Sequence, residues 1–157
     1  MIRNLVVLMC RKERITRRLY SLAQTSPCSF KHAAAVVRGS TIMSTGVNNG
    51  NRTKWGRNIT VCLHAEMDAL RSFLSIYGEN RKFNKLCMWA IRVPNEHKNL
   101  EYGLLRRSDP CQECFNNLRK YGFGKIAFSN DMGKIDIVKL KNYDTTYRSN
   151  AQKTHNK

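Results

Sequence analysis

Four residues in two short segments have the types and spacing for metal chemistry: His64 and Glu66 in His64-Ala65-Glu66, and the cysteines of Pro110-Cys111-Gln112-Glu113-Cys114. A catalytic zinc takes three protein ligands and keeps one position open to water, and one imidazole with two thiolates meets that need while the metal stays a competent Lewis acid. His64, Cys111 and Cys114 supply such a set. The cysteines stand three apart at an expected helix start, so both sulfurs can face one point, and the helix's free N–H groups and dipole favour the thiolate form. Glu66 lies two residues past His64. A carboxylate there can reach water at the metal without being a ligand, which is where a proton shuttle belongs.

A Cys-x-x-Cys spacing alone is common and a lone His-x-Glu says almost nothing. Together, with Pro110 in front and a strand and loop between them, they are specific. From the residues alone two other readings stay open: a closed structural zinc knuckle with Cys62 or another residue as fourth ligand, or two unrelated helix-capping motifs. A purely structural site has no use for Glu66. His32 and His97 have no partner at ligand spacing and read as ordinary polar residues.

The elements that must position this group follow from the hydrophobic period. Ile15, Leu19 and Leu22 recur at helical spacing over Arg11 to Gln24, a helix whose start can extend back through Leu5 to Met9 and which Thr25-Ser26-Pro27 breaks. Ala33 to Val37 and Ile42 to Val47 are apolar runs joined across Arg38-Gly39-Ser40-Thr41, a hairpin signal, and Asn48 to Asn58 reads as a polar loop. Leu63, Met67, Leu70, Phe73 and Leu74 give a second helix ending at Gly78, with His64 and Glu66 in its first turn. Leu86 to Val93, broken only by Arg92 and ended by Pro94, reads as a buried central strand. Pro110 suits the first position of a third helix reaching about Tyr121, and Lys125 to Phe128 with Ile135 to Leu140 form a last hairpin around Asn130-Asp131-Met132-Gly133.

At 157 residues the chain is one domain's length. The expected division is a basic N-terminal helix over residues 1–25 belonging to the same domain, a core over 26–141, and a polar, disordered tail over 142–157. No segment has the apolar length to cross a bilayer, and a basic stretch follows Leu5 to Met9 where a signal peptide would show its cleavage site. The expectation is therefore a soluble, intracellular protein with no membrane partner, whose six cysteines are reduced thiols. The net charge is +17, and no acidic residue occurs between Glu13 and Glu66. Such a field attracts phosphates, on a nucleotide or on a nucleic acid, although a solvated basic face without a partner has the same composition.

His64-Ala65-Glu66 with Pro110-Cys111-Gln112-Glu113-Cys114 resembles the signature of the cytidine/deoxycytidylate deaminase superfamily, and the resemblance extends over about residues 26–140. It implies an α/β fold, the three-layer α/β/α cytidine-deaminase-like fold with a central, mostly five-stranded mixed sheet. It also implies Zn2+ as cofactor and hydrolytic deamination of a cytosine nucleotide or nucleoside, of the dCMP, CMP or cytidine class, to the uracil product and ammonia. On the same resemblance Glu66 is the catalytic residue, while Asn48, at the end of Thr45-Gly46-Val47-Asn48, contacts base or sugar. The backbone N–H of Ala65 then helps hold the pyrimidine carbonyl, Ser108 lines the pocket, and the chain is a candidate homo-oligomer.

Two departures bear on the substrate. Free cytidine deaminases usually carry a glutamate two places after that asparagine, where Gly50 stands here, which counts against a free nucleoside. An insertion from Pro94 to Asp109 brings Arg106 and Arg107 beside the pocket, which favours a phosphorylated substrate. The antiparallel closing hairpin resembles the enzymes of free nucleotide precursors more than polynucleotide deaminases. Trp55 in its basic loop would suit base stacking on a single strand, so editing of RNA or single-stranded DNA remains an alternative. A catalytically inactive, nucleic-acid-binding or structural protein is the third.

Overall fold

The computed structural model describes residues 2–50, 53–55, 58–60, 63–94 and 105–145, and side chains for all of these except 2–10, 53–55 and 58–60. Its elements run α1 (Ile2–Ala23), β1 (Lys31–Arg38), β2 (Thr41–Val47), β3 (Thr53–Trp55), β4 (Asn58–Thr60), α2 (Ala65–Tyr77), β5 (Leu86–Val93), α3 (Gln112–Tyr121), β6 (Lys125–Ser129) and β7 (Ile135–Lys139). Five strands form one sheet in the order β2-β1-β5-β6-β7, with β3 and β4 a separate pair. β1 is antiparallel to both β2 and β5, β5 is parallel to β6, and β6 is antiparallel to β7, so the sheet is mixed.

The side-chain alternation of a strand divides this sheet into two faces. Ala33, Ala35 and Val37 of β1 and Trp89, Ile91 and Val93 of β5 join Ile15, Leu19 and Ala23 of α1 in one buried cluster. Ala34 and Val36 with Met88 and Ala90 face the other way, against Ala65, Ala69, Leu70 and Phe73 of α2 and Cys114, Phe115 and Leu118 of α3. The result is the expected three-layer α/β/α arrangement with β5 at the sheet's centre. Burying a large apolar side chain of this kind stabilises the fold by about 1.5–3 kcal/mol.

Several boundaries differ from the sequence reading. α1 continues back to Ile2, since nothing in Leu5 to Met9 breaks the helix begun at Arg11. Asn48 to Asn58, expected to be a loop, contains β3 and pairs Thr53 with Thr60, a ladder too short for a periodic pattern to reveal. Pro110 precedes α3 rather than occupying its first position, because Cys111 is the cap and Gln112 the first helical residue. Tyr143, counted with the polar tail, packs against Phe115 and Phe128 at ring-centroid distances of 5.3 and 5.7 Å. Residues 95–104 of the insertion, with His97, and residues 146–157 of the tail lie outside the described residues, as does the side chain of Trp55. No helix among the described residues is long and apolar enough to cross a membrane.

Candidate metal centre

Both metal-binding segments sit at helix N-caps. His64 caps α2 and Cys111 caps α3, each with extended backbone (φ −73°, ψ 152° and φ −70°, ψ 167°) and neither with a side-chain capping hydrogen bond. An N-cap normally carries Ser, Thr, Asp or Asn, and lacking one costs about 1 kcal/mol. The two helices forgo that stabilisation, and their capping imidazole and thiol point at a common centre instead.

What brings the two caps together is the edge chemistry of the sheet. α2 is tied to β2: the Val47 N–H donates to the Asp68 carboxylate at 3.0 Å, and the Ser44 hydroxyl donates to the Ala69 carbonyl at 2.7 Å. Gly46 faces α2 so closely that a Cβ there would lie 2.7 Å from the Ala65 carbonyl oxygen and collide with the backbone of Ala69. Asn49 and Leu63 then exchange backbone hydrogen bonds, both 2.9 Å, which fixes the approach to His64.

The approach to Cys111 is fixed at the ends of β5 and β6. The Ser108 N–H donates to the Ser129 carbonyl at 2.9 Å, the Ser108 hydroxyl to the Ala90 carbonyl at 2.7 Å, and the Ser129 N–H to the Ser108 hydroxyl at 3.0 Å. Both serines are buried, so each bond is made away from water.

The centre follows. His64 Nδ1 lies 3.2 Å from Cys114 Sγ and 3.4 Å from Cys111 Sγ, although the residues are 50 and 47 apart in the chain. The ligand atoms of all three lie within 4.8 Å of one another, and both cysteines are buried. A nitrogen and two sulfurs at such separations fit Zn2+ with a position left for water. Cys62, the candidate fourth ligand of a closed site, lies outside the described residues.

The electrostatics carry the strain of an arrangement made for a cation. Hydrogen bonds from Cys114 and His64 pull the Cys111 thiol down to about 4 against the opposing effect of burial, while its bond to Cys111, together with burial, pushes the Cys114 thiol up. Burial acts to lower His64, but its hydrogen bond to Cys111 and the nearby Glu66 outweigh it and raise the imidazole to about 9. Glu66, in the first turn of α2 and only 6% exposed, is raised to about 7 by burial, against the pull of His64. This buried carboxyl thus lies two residues along the chain from a zinc-type ligand.

A family model described as the cytidine and deoxycytidylate deaminase zinc-binding region matches residues 9–130, a span that includes His64, Glu66, Cys111 and Cys114. The chain belongs to this family. Among solved structures, the cytidine deaminase from Burkholderia pseudomallei aligns with a TM-score of 0.57 and 18% identity over 83% of this chain and 93% of that one. The dCMP deaminase from the cyanophage S-TIM5 in apo form aligns with a TM-score of 0.52 and 21% identity over 76% of this chain and 82% of that one. The same phage enzyme in complex with dCMP and dUMP gives 0.52 and 20% over 76% and 81%. At these identities the likeness is one of fold, and it matches the mixed five-stranded sheet flanked by helices. No curated protein matches the chain.

Within this family's frame the remaining sequence candidates fall as follows. Ala65 is the first residue of α2, so its N–H is among those a helix leaves without an intrahelical acceptor. Asn48 is buried at the end of β2: its Oδ1 accepts from the Ser26 hydroxyl at 2.6 Å and the His32 N–H at 2.9 Å, and its Nδ2 donates to the Phe30 carbonyl at 2.6 Å. Among the described residues that leaves one amide N–H without an acceptor. The hydroxyl of Ser108 is held by the bonds given above.

The arginines expected beside the pocket divide. Arg107 is paired with Asp109 at 2.7 Å and with Asp131 at 3.5 Å, whereas Arg106 is exposed and donates its backbone N–H to the Arg92 carbonyl. Sequence reading took Arg92 only as an interruption of an apolar strand. The signal was nonetheless present: a lone cation in a central strand has to be accounted for by a partner.

Proposed function

We propose that the protein hydrolyses the exocyclic amine of a cytosine nucleotide, of the dCMP or CMP class, giving the uracil nucleotide and ammonia. The observation that carries this reading is the placement of Glu66, buried in the first turn of α2 two residues past His64, whose Nδ1 lies 3.2 and 3.4 Å from the sulfurs of Cys114 and Cys111. His64, Cys111 and Cys114 would hold zinc, which would supply the Lewis acidity that makes water nucleophilic near neutral pH. Glu66 is placed to take one proton from the attacking water and deliver it to the ring nitrogen, then to take the second proton, from the hydroxyl now on the amino-bearing carbon, and pass it to the departing amine. Water thus adds at the amino-bearing carbon, the carbon–nitrogen bond breaks, and oxygen remains in the product. The N–H of Ala65 holds the pyrimidine carbonyl and the uncommitted N–H of Asn48 the sugar, while Ser108 fixes the pocket wall that precedes Cys111.

A small substrate is supported by the antiparallel pairing of β6 and β7 and by fold likeness to a phage enzyme whose complex contains dCMP and dUMP. The exposed basic residues of α1, including Arg11, Arg14 and Arg18, lie on the sheet face away from the metal ligands, so a polyanion docked there would sit apart from the pocket. The test is a product assay by mass spectrometry, zinc-loaded protein against cytidine, CMP, dCMP, adenosine and short single strands. Conversion of a cytosine nucleotide is the expected result. Conversion only within strands would replace this reading with editing, and no turnover with one zinc bound per chain would end the enzymatic reading.

A further inference from the structure

β5 is apolar along its length except at Arg92, and the alternation that turns Met88 and Ala90 toward α2 and α3 turns Arg92 to the same face. Across the β1–β5 ladder Arg92 stands directly opposite His32, and the His32 backbone is bonded in turn to Asn48. These three residues form a row across the sheet, one step beyond Gly46, Ala34 and Ala90 on the side where His64 and Glu66 enter from α2.

Two features of Arg92 in that row have no structural explanation. Among the described residues its buried Nε has no hydrogen-bond partner and no carboxylate pairs with it. A buried donor left unmet costs about 1–3 kcal/mol, more when it is charged. Its guanidinium lies over the Phe30 ring with Cζ 4.3 Å from the centroid, which holds the plane of the fork in place without satisfying any N–H. Arg107 shows the contrast, since its own guanidinium is occupied by Asp109 and Asp131. His32 opposite it is kept neutral, with its imidazole lowered to about 4 by burial first and then by Arg92 and His64, so the cation of the row is Arg92. A guanidinium stacked on a ring, with its buried Nε–H unmet, no counter-ion among the described residues and a place in the same row as the proposed sugar contact, is suited to a phosphate, whose oxygens match its fork.

We propose that Arg92 is the phosphate-binding residue of this site, its Nε–H and terminal N–H groups holding the 5′-monophosphate of the nucleotide and so setting the preference for nucleotide over nucleoside. The inference rests on the deaminase reading for the position of the base, but its test does not need turnover. Binding of dUMP and of deoxyuridine is measured by calorimetry on the zinc-loaded full chain, with Arg92 intact and as Arg92→Gln. With Arg92 the nucleotide is expected to bind at least about tenfold tighter than the nucleoside, and in Arg92→Gln the ratio falls to near one. Inorganic phosphate weakens dUMP binding, but not deoxyuridine binding, only when Arg92 is present. Arg92→Lys, which keeps the charge and loses the Nε donor, retains part of the preference and serves as the test should the glutamine variant lose its zinc. An unchanged ratio, an equal loss for both ligands, or no nucleotide binding to the intact protein overturns the proposal. An Arg92-dependent preference in a chain that deaminates nothing would overturn the proposed reaction and leave the phosphate site standing. Deamination with a ratio indifferent to Arg92 would do the reverse.

Discussion

The two faces of the central sheet are built from the same strands, one residue out of step, and they do different work. The α1 face is closed by Ile15, Leu19 and Ala23 on Ala35, Trp89 and Ile91, apolar throughout. The opposite face starts as apolar, with Val36 and Met88 against α2 and α3, and ends in Asn48, His32 and Arg92 beside a metal centre. That second face carries two helices without capping side chains, a guanidinium nitrogen with no partner among the described residues and a buried carboxyl raised to about 7. The α2/α3 face therefore carries both a large apolar cluster and, at one end of it, the groups whose local cost a site would account for.

This contrast can be broken at four points. Cys114→Ala removes a fully buried ligand, and metal analysis is expected to fall from one zinc per chain to well under one, with loss of deamination. Leu19→Ala acts on the other face: Leu19 is wholly buried, so chemical denaturation should register a loss of about 2–5 kcal/mol, while zinc content per folded molecule stays unchanged. Gly46→Ala pushes β2 and α2 apart where they touch and is expected to cost about 1–3 kcal/mol. Unlike Leu19→Ala, it should also weaken zinc retention against a chelator, because α2 carries His64.

The smallest effect is set by pH. His32 has a folded value of about 4 against 6.5 when unfolded, so the unfolded chain takes up the proton first. Its contribution to stability is complete above about 6.5 and is lost as pH falls from there through 4. Denaturation midpoints measured between those values should decline less steeply in His32→Gln. An identical slope would mean that burial and Arg92 do not hold the imidazole neutral.

Much of this was legible in the chain because the critical spacings are local. Cys111 and Cys114 fall at one helix start and His64 at another, so recognising each needed only a few residues, and the sheet had only to bring the two together. The β3–β4 pair was not legible, since three residues per strand are too few to display alternation. Nor was the difference between Arg107 and Arg92. Local sequence places Asp109 near Arg107, but the second partner, Asp131, and the stacking of Arg92 on Phe30 with its Nε unmet among the described residues arise from contacts between distant segments. The same holds for Asn48, whose bonds to Ser26, Phe30 and His32 are made only when β1 and β2 are in register.

His64, Cys111 and Cys114 are proposed to hold zinc while Glu66 moves protons for a hydrolytic deamination. The most direct test measures zinc content and dCMP turnover together in the intact chain and in Glu66→Gln. Zinc should remain at one per chain in both, with turnover reduced at least about 100-fold in the variant, the contribution expected of a general acid–base group. Turnover that survives the substitution with zinc in place would contradict the role of Glu66, and loss of zinc along with activity would make Glu66 part of the metal site instead.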